Sequence, residues 1–439
     1  MNSTPKDQTV ADYPKPPTDI VLWVGVDWAD RKHCLVTRRP DGSESRLHWV
    51  DHKPEHLDDF FLKLRQNYPD GRIGLVVEQS RGALLYALLK YSFLRLYPIN
   101  PRCLADFRKA MIASGAKGDP ADADLLCEMG CKHSEYLREF ELQDQATRQL
   151  ALLTPQRRGI VDEQTALSNQ LTSALKCYYP LVLDLFVEGI SAPTALDFLK
   201  RWPNLESLQK AKPSVLRAFF YAHNSRSDDK IQQRLEAIAA AKPLTQDPAI
   251  VSPMQLQVQT LMERLKAVQK SISAYDARIQ EVFAGHAKAR VFASFPGAGP
   301  VLAPRLAAAF GAAEANFPTA FPMLCWSGVA PVKQQSGKTE LVLWRWARPK
   351  FLHQTFVEFA RHSVLQSGWA REFFNDRLAK GWGKFRIYRA LAFKWIRILW
   401  RCWKHNIEYN ETTYLLGLQK RGVKTYSGLY SALPQPNCE

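Results

Sequence analysis

The sequence predicts an α/β domain followed by a mainly helical remainder. Three observations carry this. Short β-rich apolar runs alternate with helical periods up to about residue 140, and helical periodicity dominates from about residue 142. Two of the early apolar runs end on a carboxylate, Asp27 and Glu78. Chemistry in an α/β domain gathers at such strand ends.

Residues 22–28, 34–37 and 46–50 read as three short strands, with Asp41-Gly42 as the hairpin turn between the second and third. Residues 56–68 carry Leu57, Phe60, Phe61 and Leu64 at helical spacing. Residues 72–77 are a continuous β-rich run, fit for a strand buried on both faces. Residues 82–93 predict a helix, 96–99 a strand and 104–112 a helix. Three strands in a meander followed by helix, strand, helix, strand and helix is the order of an RNase H-like mixed-sheet domain.

Asp119 and Asp122 form a D-x-x-D pair at the start of a further helical pattern, with Asp119 before Pro120 as a helix cap would be. Carboxylates at two strand tips and on one helix face can converge. Four such groups repel unless a divalent cation lies between them, and hard oxygen donors suit Mg²⁺ or Mn²⁺. The structural alternative is that the two aspartates are caps and Glu78 a turn residue. A carboxylate after Leu75-Val76-Val77 is costly without a partner, which favours the metal site.

Residues 141–289 are expected to hold long helices with a small helical insert at 180–250. Met254, Val258, Leu261, Leu265, Val268, Ile272, Tyr275, Ile279 and Val282 alternate steps of four and three, enough for a coiled coil or a long helical hairpin. Residues 290–410 predict a compact helical domain. It opens on Phe295-Pro296-Gly297-Ala298-Gly299-Pro300, a helix-hairpin-helix-like turn whose Gly297 and Gly299 expose backbone N–H groups to a phosphate. Residues 1–19 and 411–439 are expected as tails.

The 439 residues suffice for two or three domains, and 46% are hydrophobic. A net charge of +16 and a pI near 9.4 favour a polyanionic partner. Residues 344–404 hold 14 Lys/Arg against 3 Asp/Glu. Within them, Arg386, Arg389, Lys394, Arg397, Arg401 and Lys404 fall in an arc of roughly 140° on one helix, as a nucleic-acid backbone would require. A solvated face is the plainer reading. The eight cysteines lack disulfide-framework spacing, and no leader or long apolar run is evident. A cytoplasmic, nucleoid-associated protein with no membrane span is therefore expected.

Gln334-Gln335-Ser336-Gly337-Lys338 precedes Trp344-Arg345-Trp346-Ala347-Arg348-Pro349-Lys350. A serine beside glycine, with Lys338, Arg345, Arg348 and Lys350 near in sequence, suits attack on phosphorus while cations hold the phosphate charge. The plainer reading is a polar loop. No His-Asp pair evidently serves this serine, which argues against an ester-hydrolase triad.

These motifs together resemble the DEDD transposases of the insertion-sequence one-ten family. Val24-Gly25-Val26-Asp27-Trp28-Ala29-Asp30 is similar to its first motif, and Val76-Val77-Glu78-Gln79-Ser80 to its second. Tyr97-Pro98-Ile99-Asn100-Pro101 with Lys117-Gly118-Asp119-Pro120-Ala121-Asp122-Ala123 is similar to its third. The 295–300 turn and Ser327-Gly328-Val329-Ala330-Pro331 through Ser336-Gly337 resemble its C-terminal domain. The resemblance implies an RNase H-like (RuvC-like) domain, a coiled coil and a C-terminal domain with a catalytic serine. It implies recombination of donor and target DNA guided by a structured bridge RNA. Carried over by motif, Asp27, Glu78, Asp119 and Asp122 bind Mg²⁺ and Ser336 forms a phosphoserine link to DNA. Ser327 is the rival serine. A tetramer, built as a dimer of dimers, is also implied, with one subunit's carboxylates meeting another's serine. Gly118, Pro120, Trp344 and Trp346 depart from the family's usual pattern. The competing readings are a metal-dependent nuclease or junction resolvase without the serine, and a non-catalytic nucleic-acid scaffold.

Overall fold

A computed structural model describes residues 17–78, 82–112, 117–187, 189–314, 317–337, 339–423 and 426–430. The chain divides into two compact units between Leu142 and Gln143.

The first unit is a five-stranded mixed sheet with helices on both faces. The strands are β1 Ile20–Asp27, β2 Lys32–Arg38, β3 Arg46–Asp51, β4 Arg72–Val77 and β5 Leu94–Pro98, in spatial order β3-β2-β1-β4-β5. β1, β2 and β3 pair antiparallel, while β1–β4 and β4–β5 pair parallel. This arrangement is consistent with an RNase H-like α/β domain.

The period-2 pattern of β1 sends alternate side chains to two cores. Leu22, Val24 and Val26 face a layer with α1 (Pro54–Asn67) and α2 (Ala83–Leu88). Trp23 faces α3 (Pro101–Met111) and α4 (Asp119–His133), with Leu104, Leu125 and Leu126. Full burial of a side chain such as Leu75 stabilises by roughly 2 kcal/mol. The helix predicted over 82–93 is only six residues long, because Lys90 and Tyr91 turn the chain back into β5.

The second unit is mostly helical. Two long helices, α5 (Gln145–Tyr178) and α11 (Pro248–Ala284), run antiparallel: Thr147 bonds His286, Arg157 pairs with Asp276, and Glu163 pairs with Arg264. Between them lie α6 (Leu181–Leu185), α7 (Pro193–Arg201), α8 (Leu205–Gln209), α9 (Pro213–Ala222) and α10 (Asp228–Ala240). The heptad seam of α11 is covered within its own chain. Val258, Leu261, Leu265 and Val268 share a core with Leu167, Leu171 and the insert, and Ile279 and Val282 join the C-terminal core.

That C-terminal core gathers α12 (Ala289–Ala293), α13 (Gly299–Phe310), α14 (Ala320–Trp326), α15 (Lys350–Gln366), α16 (Gly368–Ala379) and α17 (Lys384–His405) around Trp369, Trp395 and Trp403. Each of these indoles has an acceptor: Tyr409 Oη, Ser363 Oγ and the Gly311 carbonyl. A hairpin of β6 (Val332–Ser336) and β7 (Thr339–Leu343) interrupts the helices. In the stretch expected as a tail, α18 (Glu411–Lys420) and α19 (Ser427–Tyr430) form, and Leu415, Leu418 and Tyr426 enter the core. Among the described residues, no helix is long and apolar enough to cross a membrane.

Candidate functional site

Asp27 is the last residue of β1, and Glu78 directly follows β4. The register pairs Val26 with Val77, so both carboxylates leave neighbouring parallel strands at the same edge. Asp119 opens α4, with Asp122 in its first turn. Gly25 explains how the helix reaches the strand. A Cβ there would lie 2.1 Å from the Ala123 carbonyl oxygen and 2.3 Å from the Cys127 nitrogen. Only a glycine lets the α4 backbone lie directly on β1.

The four carboxylates feel one another. Burial, then the charges of Asp119, Asp122 and Glu78, push the Asp27 carboxyl up to about 6, with Lys117 opposing. Burial and the Asp122 charge raise Glu78, against Arg108 and Lys117. Asp122 is 1% exposed and accepts a 2.6 Å bond from Arg108 Nε. Neither Arg108 nor Lys117 stands out in the sequence, since single basic residues in polar stretches carry no pattern.

The donor set is all carboxylate oxygen, and burial together with the neighbouring carboxylates holds Asp27 and Glu78 above their ordinary range. Such a set fits a hard divalent cation. Among the described residues, however, no three ligand groups already stand arranged as a cage. Arg108 occupies one oxygen of Asp122, so the ion pair and a cation would share that carboxylate.

In the second unit, Ser336 ends β6 opposite Thr339, at a two-residue turn where Gly337 has φ +57°. The serine is exposed, as are both strands almost throughout. The plainer expectation of a polar loop here gives way to a β-hairpin. The signal was Gly337 before the β-prone run Thr339-Glu340-Leu341-Val342-Leu343. Ser327 is fully buried, and its hydroxyl donates to the Leu324 carbonyl, which rules it out as an accessible nucleophile.

The predicted cations divide into groups. Arg345 donates to the Ala330 carbonyl, Arg348 to the Arg345 carbonyl and Arg389 to the Val329 carbonyl. Lys350 starts α15 and is exposed, while Lys338 lies outside the described residues. On α17, Arg386, Arg397 and Arg401 are exposed. Lys394 instead lies over Phe373, 5.2 Å from the ring centre, and burial lowers its ammonium pKa. Lys404 faces Glu314 at 3.8 Å. The single cationic stripe expected on this helix is therefore interrupted, because the long stems of Arg389 and Lys394 fold onto aromatic rings.

The 295–300 turn has Gly297 at φ +80° and Gly299 at φ +53°. The Gly297 N–H is already taken by Gln366 Oε1 at 2.8 Å. A Cβ on Gly297 would meet the His362 and Ser363 backbone at 2.8 Å, so close packing on α15 is one reason for this glycine. Gly299 has open space around it.

Two sequence profiles match the chain. A DEDD transposase profile of the IS110 type, described as a transposase, covers residues 24–180. One described as a transposase of the IS116/IS110/IS902 family covers residues 289–375. The first range contains all four carboxylates, the second Ser336. Similar proteins include a mini-circle protein named as a candidate transposase for IS117 from Streptomyces coelicolor. It is 24% identical over 89% of this chain and 96% of the relative. An uncharacterized 42 kDa protein of insertion element IS900 from Mycobacterium paratuberculosis is 24% identical over 89% of this chain and 98% of its own. A 43.6 kDa protein of insertion element IS110 from Streptomyces coelicolor is 24% identical over 73% and 78%.

Proposed function

The chain belongs to the IS110 (insertion-sequence one-ten) family of transposases, enzymes that act on DNA, and from that premise we propose a serine recombination mechanism. Ser336 attacks the scissile phosphate, and Asp27, Glu78, Asp119 and Asp122 hold a divalent cation, Mg²⁺ or Mn²⁺. The observation that carries this reading is the half-buried carboxylate cluster itself, in which burial first, and then the charges of Asp119, Asp122 and Glu78, lift Asp27 to about 6. Such a cluster is costly unless a cation offsets it.

The bound cation would neutralise phosphate charge and stabilise the departing oxygen. The protein supplies the rest. Ser336 presents its hydroxyl at an exposed tip, free to enter a nucleic-acid groove. Its Oγ forms a bond to phosphorus as the bond to the leaving strand oxygen breaks, and the serine proton is passed to the medium or the departing hydroxyl. The strand is then held as a phosphoserine ester. A free strand hydroxyl attacks that ester, releasing Ser336 and restoring the phosphodiester, so no external energy source is required. Arg345, Arg348 and Lys350, next to the hairpin, would hold phosphate oxygens. The basic Arg386, Arg397 and Arg401 would track a backbone, and Gly299 would offer its N–H to another phosphate.

The resemblance to the family further supports guidance by a structured bridge RNA and assembly as a dimer of dimers, with Ser336 of one subunit serving the carboxylates of another. The domain plan follows the same reading: a RuvC-like domain over 20–140, long helices with an insert over 141–289, and a serine-bearing domain over 290–410.

The test is adduct trapping. The full chain is incubated with DNA bearing the element ends, co-purified RNA and Mg²⁺, then denatured. The wild type is expected to retain a covalent DNA adduct and Ser336→Ala none. Cutting that persists unchanged in Ser336→Ala would overturn the serine mechanism in favour of a metal-dependent nuclease. Sequencing the co-purified RNA tests guidance, which fails if no discrete structured species is present.

A further inference from the structure

We propose that Trp346, backed by Trp344, is the stacking surface for an unpaired base of the DNA strand cut at Ser336, so that the strand leaves the double helix beside the β6–β7 hairpin. The identity of that strand rests on the serine reading above.

Trp346 is 81% exposed, the most exposed tryptophan among the described residues. It stands at the end of a run of exposed apolar side chains, Leu341, Val342, Leu343 and Trp344, and a patch of that kind marks an interaction surface. Its neighbourhood is built from stacked and hydrogen-bonded side chains. Trp344 lies 6.2 Å away between ring centres, and the Arg389 and Arg348 guanidiniums sit 4.1 Å and 4.8 Å from the Trp344 ring. Arg348 is pinned along Gly328, where a Cβ would meet its Cδ at 2.0 Å. Arg389 is tied to the Val329 carbonyl at 3.1 Å. Trp346 itself has Arg348 only at 6.0 Å.

Charge decides the occupant. Among the described residues, Arg345, Arg348 and Arg389 have no carboxylate partner. A protein partner covering the indoles would bury these guanidiniums and would have to supply acids for each. A nucleic-acid strand supplies a π face and a phosphate at every step. A duplex hides its base faces in the stack, so only an unpaired base can lie flat on Trp346. The hairpin runs about 14 Å from its Ser336 pair to its Leu343 pair at the usual strand rise. That is about four nucleotides at the duplex rise of one strand, which sets the stacked base a short distance from the scissile phosphate.

The test uses the full chain and fluorescence anisotropy with one DNA sequence as single strand and as duplex, and the same sequence as single-stranded RNA. Trp346→Ala is expected to weaken single-stranded DNA binding about tenfold, with duplex binding unchanged. Trp346→Phe, which keeps a π face, should restore most of it. An equal loss on duplex and single strand, or no loss on either, overturns the proposal. So does a loss confined to RNA. A changed oligomeric state with single-strand binding intact would also overturn it and assign the surface to a second copy. Binding is read without cleavage, so an adduct formed by Ser336→Ala would sink the serine mechanism and leave this contrast readable.

Discussion

The carboxylate cluster and the serine hairpin are built by opposite means. The cluster stands on the ends of two buried parallel strands and a helix pressed against one of them at Gly25. Its geometry is set by the core, and its electrostatic cost is paid within the fold. The hairpin is two short strands exposed on both faces, with Leu341 53% and Val342 61% exposed. An isolated two-stranded hairpin is marginal in water. One half of the proposed centre has its backbone positions fixed by the core, while the other gains its order from what it touches. Stability and activity should therefore separate at the hairpin and travel together at the cluster.

The largest expected effect is Ser336→Ala: strand transfer falls by on the order of 10³-fold or more, with the thermal midpoint unmoved, since the side chain is exposed. A large fall in the midpoint by calorimetry would show that the serine is structural. Next is Gly25→Val, which drives side-chain carbon into the α4 backbone. A loss of at least about 3 kcal/mol on denaturant unfolding is expected, together with loss of activity. Normal stability with lost activity would break the claim that the two travel together.

Arg108→Ala comes third. It leaves Asp122 buried and unpaired, and breaking a buried pair costs about 3 kcal/mol. Added Mg²⁺ should recover much of this if the cation and Arg108 compete for the same carboxylate. Equal destabilisation with and without Mg²⁺ would place the metal elsewhere.

The pH dependence is smaller. The folded Asp27 holds its proton to about pH 6, while its ordinary value is 3.8. Above pH 6 it is ionised in both states and the folded state bears the full cost. From pH 6 down to about 4, the folded state keeps a proton that the unfolded state releases. Without divalent cation, stability should therefore rise by a few degrees of Tm as pH falls through that window. Divalent-cation affinity should fall over the same window, because a ligand must be deprotonated. Affinity independent of pH, measured by titration calorimetry, would remove Asp27 from the ligand set. The smallest effect is expected for Lys333→Ala, which loses an exposed pair with Glu340 worth about 0.5 kcal/mol.

Legibility in the sequence follows burial. Both strands that carry Asp27 and Glu78 were evident because their apolar runs must be buried, and a carboxylate at such an end stands out. β4 was predicted over the residues it occupies. The seam of α11 was equally evident, but periodicity gives a face and not the element that covers it. Here α5 and the insert of the same chain do so. The β6–β7 hairpin escaped because it is exposed on both sides and has no in-out alternation to read. Arg108 escaped because its role depends on α3 meeting α4, which no local pattern encodes. The α17 stripe was drawn by angle alone, and angle does not tell whether a long stem reaches outward or lies down, as Lys394 does on Phe373.

The antiparallel α5–α11 pair has a mechanical meaning. Its 34 and 37 residues give a rod of about 50 Å. One end is set in the C-terminal core through Leu150 and Val282, and the other in the insert through Leu171 and Val258. Arg157 and Asp276 lock the register part-way along, so the helices cannot slide. The rod acts as a strut with clamped ends that does not telescope. The cores at its two ends are thereby held at a fixed separation, set by helix length alone.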